Sequence, residues 1–428
     1  MERYQEYKDS GEQWLGEIPS HWKVRKAKFL WTEKDNRSDC GNERLLSVSQ
    51  YDGVKPTTDE SRSESLEGYK IVEQNELVIN IMLAWLGGLG VSSYRGIVSP
   101  AYCVYKLDDR QNPKYMHYLY KTPMYLAEFA RRSTGIVPSR WRMYTDDFGQ
   151  VLTVVPPLSE QTAMVAYLDR VTAQIDKAIA QQQRMIDLLN ERKQIIIQHA
   201  VTKGLDPNAE MVDSGVEWIG EMPKGWSVYK LKHICNAFGR IGFRGYSTSD
   251  LVEENEGAIT LSPSNMKDGG MTYEKCTYLS WKKYEESSEI KIHDGDIIFV
   301  KTGSSYGKSS IVYGLPKEAT INPQLLVFKD IRCSREFLSY VLMTNSIRNQ
   351  IETSVIGGTI PTISQNKILN FSFTCPSKGE QENIVCKLGE LINPIKSSIK
   401  KIEKRISFLR ERKQIIINEV VTGKVKVS

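Results

Sequence analysis

Long apolar runs, ordered cysteines, clustered histidines and a strong charge of either sign are all missing from this chain. No stretch of about 18 consecutive apolar residues occurs, so no helical membrane span is expected. The opening residues Met1-Glu2-Arg3-Tyr4-Gln5 lack the apolar segment of a secretion signal. Seven cysteines stand apart without a Cys-x-x-Cys pair. Neither a disulfide frame nor a zinc site is therefore expected, and a reducing cytoplasm is the expected compartment. The five histidines (His21, His117, His199, His233, His293) show no metal-ligand spacing. No Ser/His/Asp set can be assembled, so no catalytic residue, metal or cofactor is expected.

The net charge is only +5, and its location is uneven. Residues 380–428 carry 11 Lys/Arg against 6 Glu, a surplus of +5, so residues 1–379 sum to zero. A polyanion binder usually advertises a basic surface. If this chain binds DNA, positive loops or a partner supply the phosphate contacts.

What is present is said twice. Asp9-Ser10-Gly11-Glu12-Gln13-Trp14-Leu15-Gly16-Glu17-Ile18-Pro19-Ser20-His21-Trp22 returns as Asp213-Ser214-Gly215-Val216-Glu217-Trp218-Ile219-Gly220-Glu221-Met222-Pro223-Lys224-Gly225-Trp226. Glu191-Arg192-Lys193-Gln194-Ile195-Ile196-Ile197 recurs letter for letter as Glu411-Arg412-Lys413-Gln414-Ile415-Ile416-Ile417. Two copies of one unit imply internal two-fold symmetry.

Each copy has three parts. A Gly- and Pro-punctuated Trp-x-Gly-Glu-x-Pro segment reads as irregular. A mixed region follows, at residues 23–155 and 227–375. Its β-rich runs include 76–80, 101–105, 296–300 and 325–328, and its helices include 113–131 and 334–352. Gly96-Ile97-Val98-Ser99-Pro100 matches Ala319-Thr320-Ile321-Asn322-Pro323, and Gly135-Ile136-Val137-Pro138 matches Gly358-Thr359-Ile360-Pro361. Between these anchors the residues diverge, as suits related domains with different targets.

Long helices close each copy, at residues 159–201 and 379–421. Leu388, Ile392, Ile395, Ile399, Ile402, Ile406 and Leu409 alternate steps of four and three, a heptad seam. The same register 220 positions earlier gives Leu168, Thr172, Ile175, Ile179, Gln182, Ile186 and Leu189. Lys193 and Lys413 break the seam, where a partner's helices could join. Pro394 is expected to kink or locally open its helix. A helix roughly 60 Å long with one apolar stripe needs a partner. Two-fold symmetry would lay the sisters antiparallel, with the globular regions at opposite ends and the N-terminus near the C-terminus.

This order resembles the specificity subunits of type I restriction-modification enzymes. The matching residues are Trp14, Gly16, Glu17, Pro19, Trp22, Pro156, Glu160 and Gln161, and again Trp218, Gly220, Glu221, Pro223, Trp226, Pro376, Glu380 and Gln381. The resemblance implies a non-catalytic subunit that reads double-stranded DNA. Each variable region would be a target recognition domain contacting one half of a bipartite sequence. The helices would set the unread gap and dock methyltransferase subunits, two of them, with restriction subunits joining the full complex. The implied fold is α+β: two globular target recognition domains separated by two long helices forming an antiparallel coiled coil, with a pseudo-two-fold internal repeat. The implied divisions are 1–157, 158–203, 204–377 and 378–428.

Candidate DNA contacts follow from residue chemistry. Arg140, Arg142 and Tyr144 follow the Gly-Ile-Val-Pro turn, and arginine suits guanine edges and phosphates. Arg240 and Arg244 lie in a Gly-rich basic loop. Lys301, Thr302, Ser304, Ser305, Tyr306 and Lys308 form a polar loop after a strand. Gln50, Tyr51 and Asn265 follow short strands at matching places. Trp85 reads either as a DNA wedge or as core, with core preferred.

Rival readings remain open at this point. Gly303-Ser304-Ser305-Tyr306-Gly307-Lys308-Ser309 approaches a P-loop, but three residues separate the glycines where the motif needs four. Asn112-Pro113-Lys114-Tyr115 lacks the second proline of a methyltransferase loop and reads as a helix cap. The alternative to a DNA reader is a coiled-coil scaffold with two protein-binding domains and no DNA contact.

Overall fold

The computed structural model describes residues 2–50, 53–57, 65–137, 140–240, 245–267, 270–355 and 361–427. It divides into two compact units, Met1–Gln183 with Glu403–Ser428, and Arg184–Ile402. Each unit takes part of both long helices.

The first unit is built on an antiparallel sheet in the order Trp31–Lys34, Tyr102–Leu107, Leu77–Asn80, Leu89–Val91. The second repeats that order with Asn236–Gly239, Leu325–Lys329, Ile297–Val300 and Ser309–Ile311. A strand pair flanks each sheet, Lys23–Lys26 with Leu152–Val155 and Ser227–Lys230 with Ser372–Cys375. The second unit adds a four-stranded sheet containing one parallel pair, Gly257–Leu261 beside Ala319–Ile321.

The central strands read as continuous apolar runs because both faces are covered. Ile297 and Phe299 enter one core of the second unit, while Ile298 and Val300 enter another. Alternation along the strand sends neighbours to opposite sides. In the first unit Leu77 and Ile79 face an aromatic core with Tyr115, Tyr120, Tyr125, Phe129 and Phe148, while Val78 faces the opposite cluster.

Three details depart from the sequence reading. The Trp-x-Gly-Glu-x-Pro segments are small β-ladders, Tyr7–Asp9 with Glu17–Pro19 and Met211–Asp213 with Glu221–Pro223. Gly16 (φ 64°) and Gly220 (φ 66°) supply the left-handed residue each return needs. The expected helix at 113–131 is two, Pro113–Tyr120 and Pro123–Arg132, because Pro123 cannot continue the first but suits the start of the second. Likewise 334–352 is Arg335–Val341 and Asn345–Glu352, restarted where the Thr344 hydroxyl accepts from Ile347 N.

The long helices span Leu158–Lys203 and Lys378–Val421. Every seam position is buried or half-buried, from Leu168 to Leu189 and from Leu388 to Leu409. The helix containing Pro394 runs through that residue, so the expected local opening does not interrupt it. In the first unit Met164, Val165 and Leu168 share a core with Ile417, Val420 and Val421. In the second, Ile197, Ala200 and Val201 share one with Ile384, Leu388 and Ile392. The start of one helix thus meets the end of the other in both units, the antiparallel sense.

The N-terminal segment joins the second helix's end, as symmetry requires. Glu2 bridges to Lys426, and Tyr7 Oη donates to the Gly423 carbonyl at 3.0 Å. No helix among the described residues is long and apolar enough to cross a membrane.

Candidate nucleic-acid interface

The repeated motif residues turn out to hold each unit together. Trp22 is buried, and its indole nitrogen donates to Glu160 Oε2 at 3.0 Å. Trp226 does the same to Glu380 Oε1 at 3.0 Å. Gln161 Nε2 donates to the Pro156 carbonyl at 2.8 Å while its Oε1 accepts from Asn112 N. Gln381 repeats both bonds, to the Pro376 carbonyl and from Ser334 N. The Pro-x-x-x-Glu-Gln signature therefore joins the helix start to the hairpin segment and to the helix after the sheet.

Upon that frame, each unit brings two sequence-distant loops to one edge of its sheet. In the first unit the loop after Leu77–Asn80 meets the segment after Arg132, with Met143 N donating to the Ile81 carbonyl at 3.0 Å. In the second, Ile363 N donates to the Lys301 carbonyl at 2.9 Å, and Gly303 N to the Pro361 carbonyl at 3.1 Å. The loops correspond in position and differ in chemistry.

The first unit's edge is apolar and aromatic. Met82, Leu83, Leu86, Ile136, Val137 and Tyr144 are exposed, Ile136 at 94%. Trp85 is half-buried and packs edge-on against Trp141, ring centres 5.3 Å apart. It is not the core residue preferred from sequence. Exposed apolar residues gathered on one edge mark an interaction surface. Arg140 is exposed beside them; Arg142 is half-buried, with Nη1 donating to the Trp141 carbonyl at 2.9 Å. Gln50 joins this edge, because Lys121 Nζ clamps the Gln50 carbonyl at 2.8 Å and the Gly87 carbonyl at 2.7 Å. Tyr51 lies outside the described residues.

Among the described residues, the second unit's edge is polar and basic. Ser304 is exposed, and Lys301, Thr302, Ser305, Tyr306 and Lys308 are half-buried. Burial holds the Lys301 ammonium below the usual lysine range. Lys308 Nζ donates to the Met266 carbonyl at 2.7 Å. The loop leads into the strand Ser309–Ile311 and not into a helix. It therefore lacks the helix N-terminus that a P-loop sets against its phosphates. Gly307 (φ 82°) makes the turn and packs so close to Ile351 that a Cβ would stand 3.0 Å from it.

Two expected contacts are internal. Arg240 is 1% exposed; its Nε donates to the Ile321 carbonyl and its Nη2 to Thr320 Oγ1, both at 3.0 Å. Asn265 is 2% exposed and bonds the backbone of Ser262, Thr272 and Lys275. As folded, both brace the second unit's added sheet and hairpin and do not face solvent. Arg244 lies outside the described residues. Asn112 caps its helix as expected, accepting from Lys114 N and Tyr115 N. No group of three or more His, Cys, Asp and Glu among the described residues could hold a metal ion.

Residues 223–407 match the family described as the type I restriction modification DNA specificity domain. Over 427 residues the chain is 24% identical to the type I restriction enzyme MjaVIII specificity subunit of Methanocaldococcus jannaschii, covering 96% of this chain and 94% of the relative. A chain from a structural study of complex assembly and conformational transition in the type I R-M system shares the fold. Its TM-score is 0.65 at 13% identity, over 95% of this chain and 99% of that one. The crystal structure of the HsdS subunit from Thermoanaerobacter tengcongensis superposes with a TM-score of 0.43 at 15% identity, over 95% and 98% of the two chains. With its duplicated frame and antiparallel helices, the chain is similar over nearly its whole length to a type I restriction-modification specificity subunit, and its residues 223–407 match the DNA specificity domain.

Proposed function

We propose that this chain is the non-catalytic DNA reader of a type I restriction-modification complex. Its first recognition domain, within 1–157, reads one half of a bipartite, asymmetric target. Its second, within 204–377, reads the other. The helices at 158–203 and 378–428 set the unread gap and dock two methyltransferase subunits, which bring the cofactor and flip the target base. Restriction subunits join the full complex, and the assembly works in the cytoplasm.

One observation carries this reading: the same strand order presents loops of unlike chemistry at the same edge of each unit. Identical frames with unlike loops suit two different half-sites. In the first domain Arg140, Arg142 and Tyr144 contact base edges and phosphates beside an apolar edge fitted to thymine methyls. In the second, Lys301, Thr302, Ser304, Ser305, Tyr306 and Lys308 do so through polar groups.

Binding by the complex with methyltransferase, measured across salt concentrations, tests the reading. A reader loses affinity steeply as salt rises. A protein-binding scaffold shows no such loss. Arg140→Ala is expected to weaken target binding about fivefold or more, since a bidentate arginine contributes about 1–3 kcal/mol of discrimination. Unchanged affinity and unchanged preference at every base would remove Arg140 from the interface.

A further inference from the structure

The second unit holds a cleft of about 820 Å³ between its portions of the two long helices and the 304–308 loop. Lys193 and Lys396, one from each helix, stand on its wall with Lys308 and Arg348. The internal repeat makes this pairing unusual. In the first unit the equivalent positions are Lys413 and Asp176, and there Lys413 Nζ reaches both Asp176 carboxylate oxygens at 2.7 Å. The repeat offset of 220 replaces that aspartate by Lys396. An interhelical ion pair in one unit is two ammonium groups in the other.

The carboxylates on the cleft wall do not answer those charges. Glu352 accepts from Arg348 Nε at 3.2 Å, and Glu336 takes the Tyr313 hydroxyl at 2.5 Å. Lys193 donates to the neutral Asn190 Oδ1 at 3.0 Å, and Lys308 to a backbone carbonyl. Lys396 is exposed, with no hydrogen bond or ion pair among the described residues. Ser309, 8% exposed, also lines the cleft, and its hydroxyl finds no hydrogen-bond partner among the described residues. Unneutralised ammonium groups on one wall suit an oxyanion.

We propose that this cleft, present on the second unit's side of the repeat, takes phosphate groups of the DNA backbone, with Lys193 and Lys396 as the helix-borne contacts. The proposal rests on the DNA-reading function, because the loop on its rim is the one assigned to the second half-site. Contact from the helices would fix where that domain sits along the duplex without reading a base. It would also make the two halves of the target unequal in salt dependence.

The test uses the chain assembled with its methyltransferase on its own target duplex. Each phosphate contact contributes about 0.9 to the slope of log K against log salt. Lys193→Gln with Lys396→Gln is expected to lower that slope by about 2 and leave the recognised sequence unchanged. Lys396→Asp installs the first unit's ion pair, so it should keep the melting temperature while still lowering the slope. Lys413→Gln should leave the slope as it is. A wild-type slope in the folded Lys396→Asp and double variants overturns the proposal but leaves the DNA reading standing. ATP or pyrophosphate binding that both variants abolish, with an unchanged slope, assigns the cleft to a free nucleotide and also overturns it. A wild-type complex without salt-dependent target binding overturns the DNA reading itself.

Discussion

Glu160 concentrates three distant donors: the Trp22 indole at 3.0 Å, the Tyr4 hydroxyl at 3.0 Å and His21 Nε2 at 2.6 Å. Burial pushes its carboxyl upward, but the bonds from His21, Trp22 and Tyr4 outweigh that and hold it below the usual glutamate range. Glu160→Ala leaves those donors unpaired and should cost about 2–3 kcal/mol, read from urea unfolding by tryptophan emission. Glu380→Ala, which strands one indole, should cost about half as much. Because Glu160's folded pKa is depressed, its contribution is present above about pH 4.5 and lost as pH falls through the lower folded value. His117 fails earlier. Burial, with Lys121 and Lys114 nearby, holds its imidazole down to about 4, and its Nδ1 accepts from Val91 N at 3.1 Å. Its neutral form is required, so stability is full well above pH 6.5 and declines by about 3 kcal/mol as pH falls through 6.5 to 4. His117→Asn should flatten that decline in a pH series of melting temperatures. None of these roles was legible in the sequence: Glu160 reads as motif signature, and its partners lie 138 to 156 positions away. Arg240 and Asn265 misled for a related reason. A basic loop residue is read as facing outward until the added sheet that receives it is known.

At the scale of elements, the helices were the most legible part of the chain. A seam repeating every 3.5 residues has few explanations, and the helix ends fall within two residues of the expected ones. Strands buried on both faces were found from their apolar runs, but their order was not, since pairing partners carry no local mark. The helix breaks at Pro123 and Thr344 were written in the sequence as a proline at the first turn and a capping hydroxyl. Pro394 sits exposed inside the second long helix, where it removes one backbone bond. Pro394→Ala should therefore raise stability by about 1–3 kcal/mol, read by thermal unfolding. A fall in stability would mean that the proline relieves strain in the helix. The Lys413–Asp176 pair is exposed at 30% and 55%, so its loss should cost no more than about 1 kcal/mol. A larger cost would give it a structural role beyond a surface pair.

At the scale of the whole molecule, duplication explains both what was legible and what was not. Two copies of one motif order announce the frame, and matching strand orders carry it into three dimensions. On the proposed reading, specificity resides where the copies diverge, and a single sequence gives no rule for which divergent residues face outward. The apolar edge at Met82, Leu83, Leu86, Ile136 and Val137 had only a glycine-rich, tryptophan-bearing loop as its signal. Methylome sequencing of a host carrying this chain with its methyltransferase tests the central claim most directly, repeated after residues 23–155 are exchanged for another family member's domain. Two unlike half-sites around an unread gap, one half replaced by the exchange and the other retained, is the predicted result. A continuous motif, or one altered in both halves by the exchange, would contradict it.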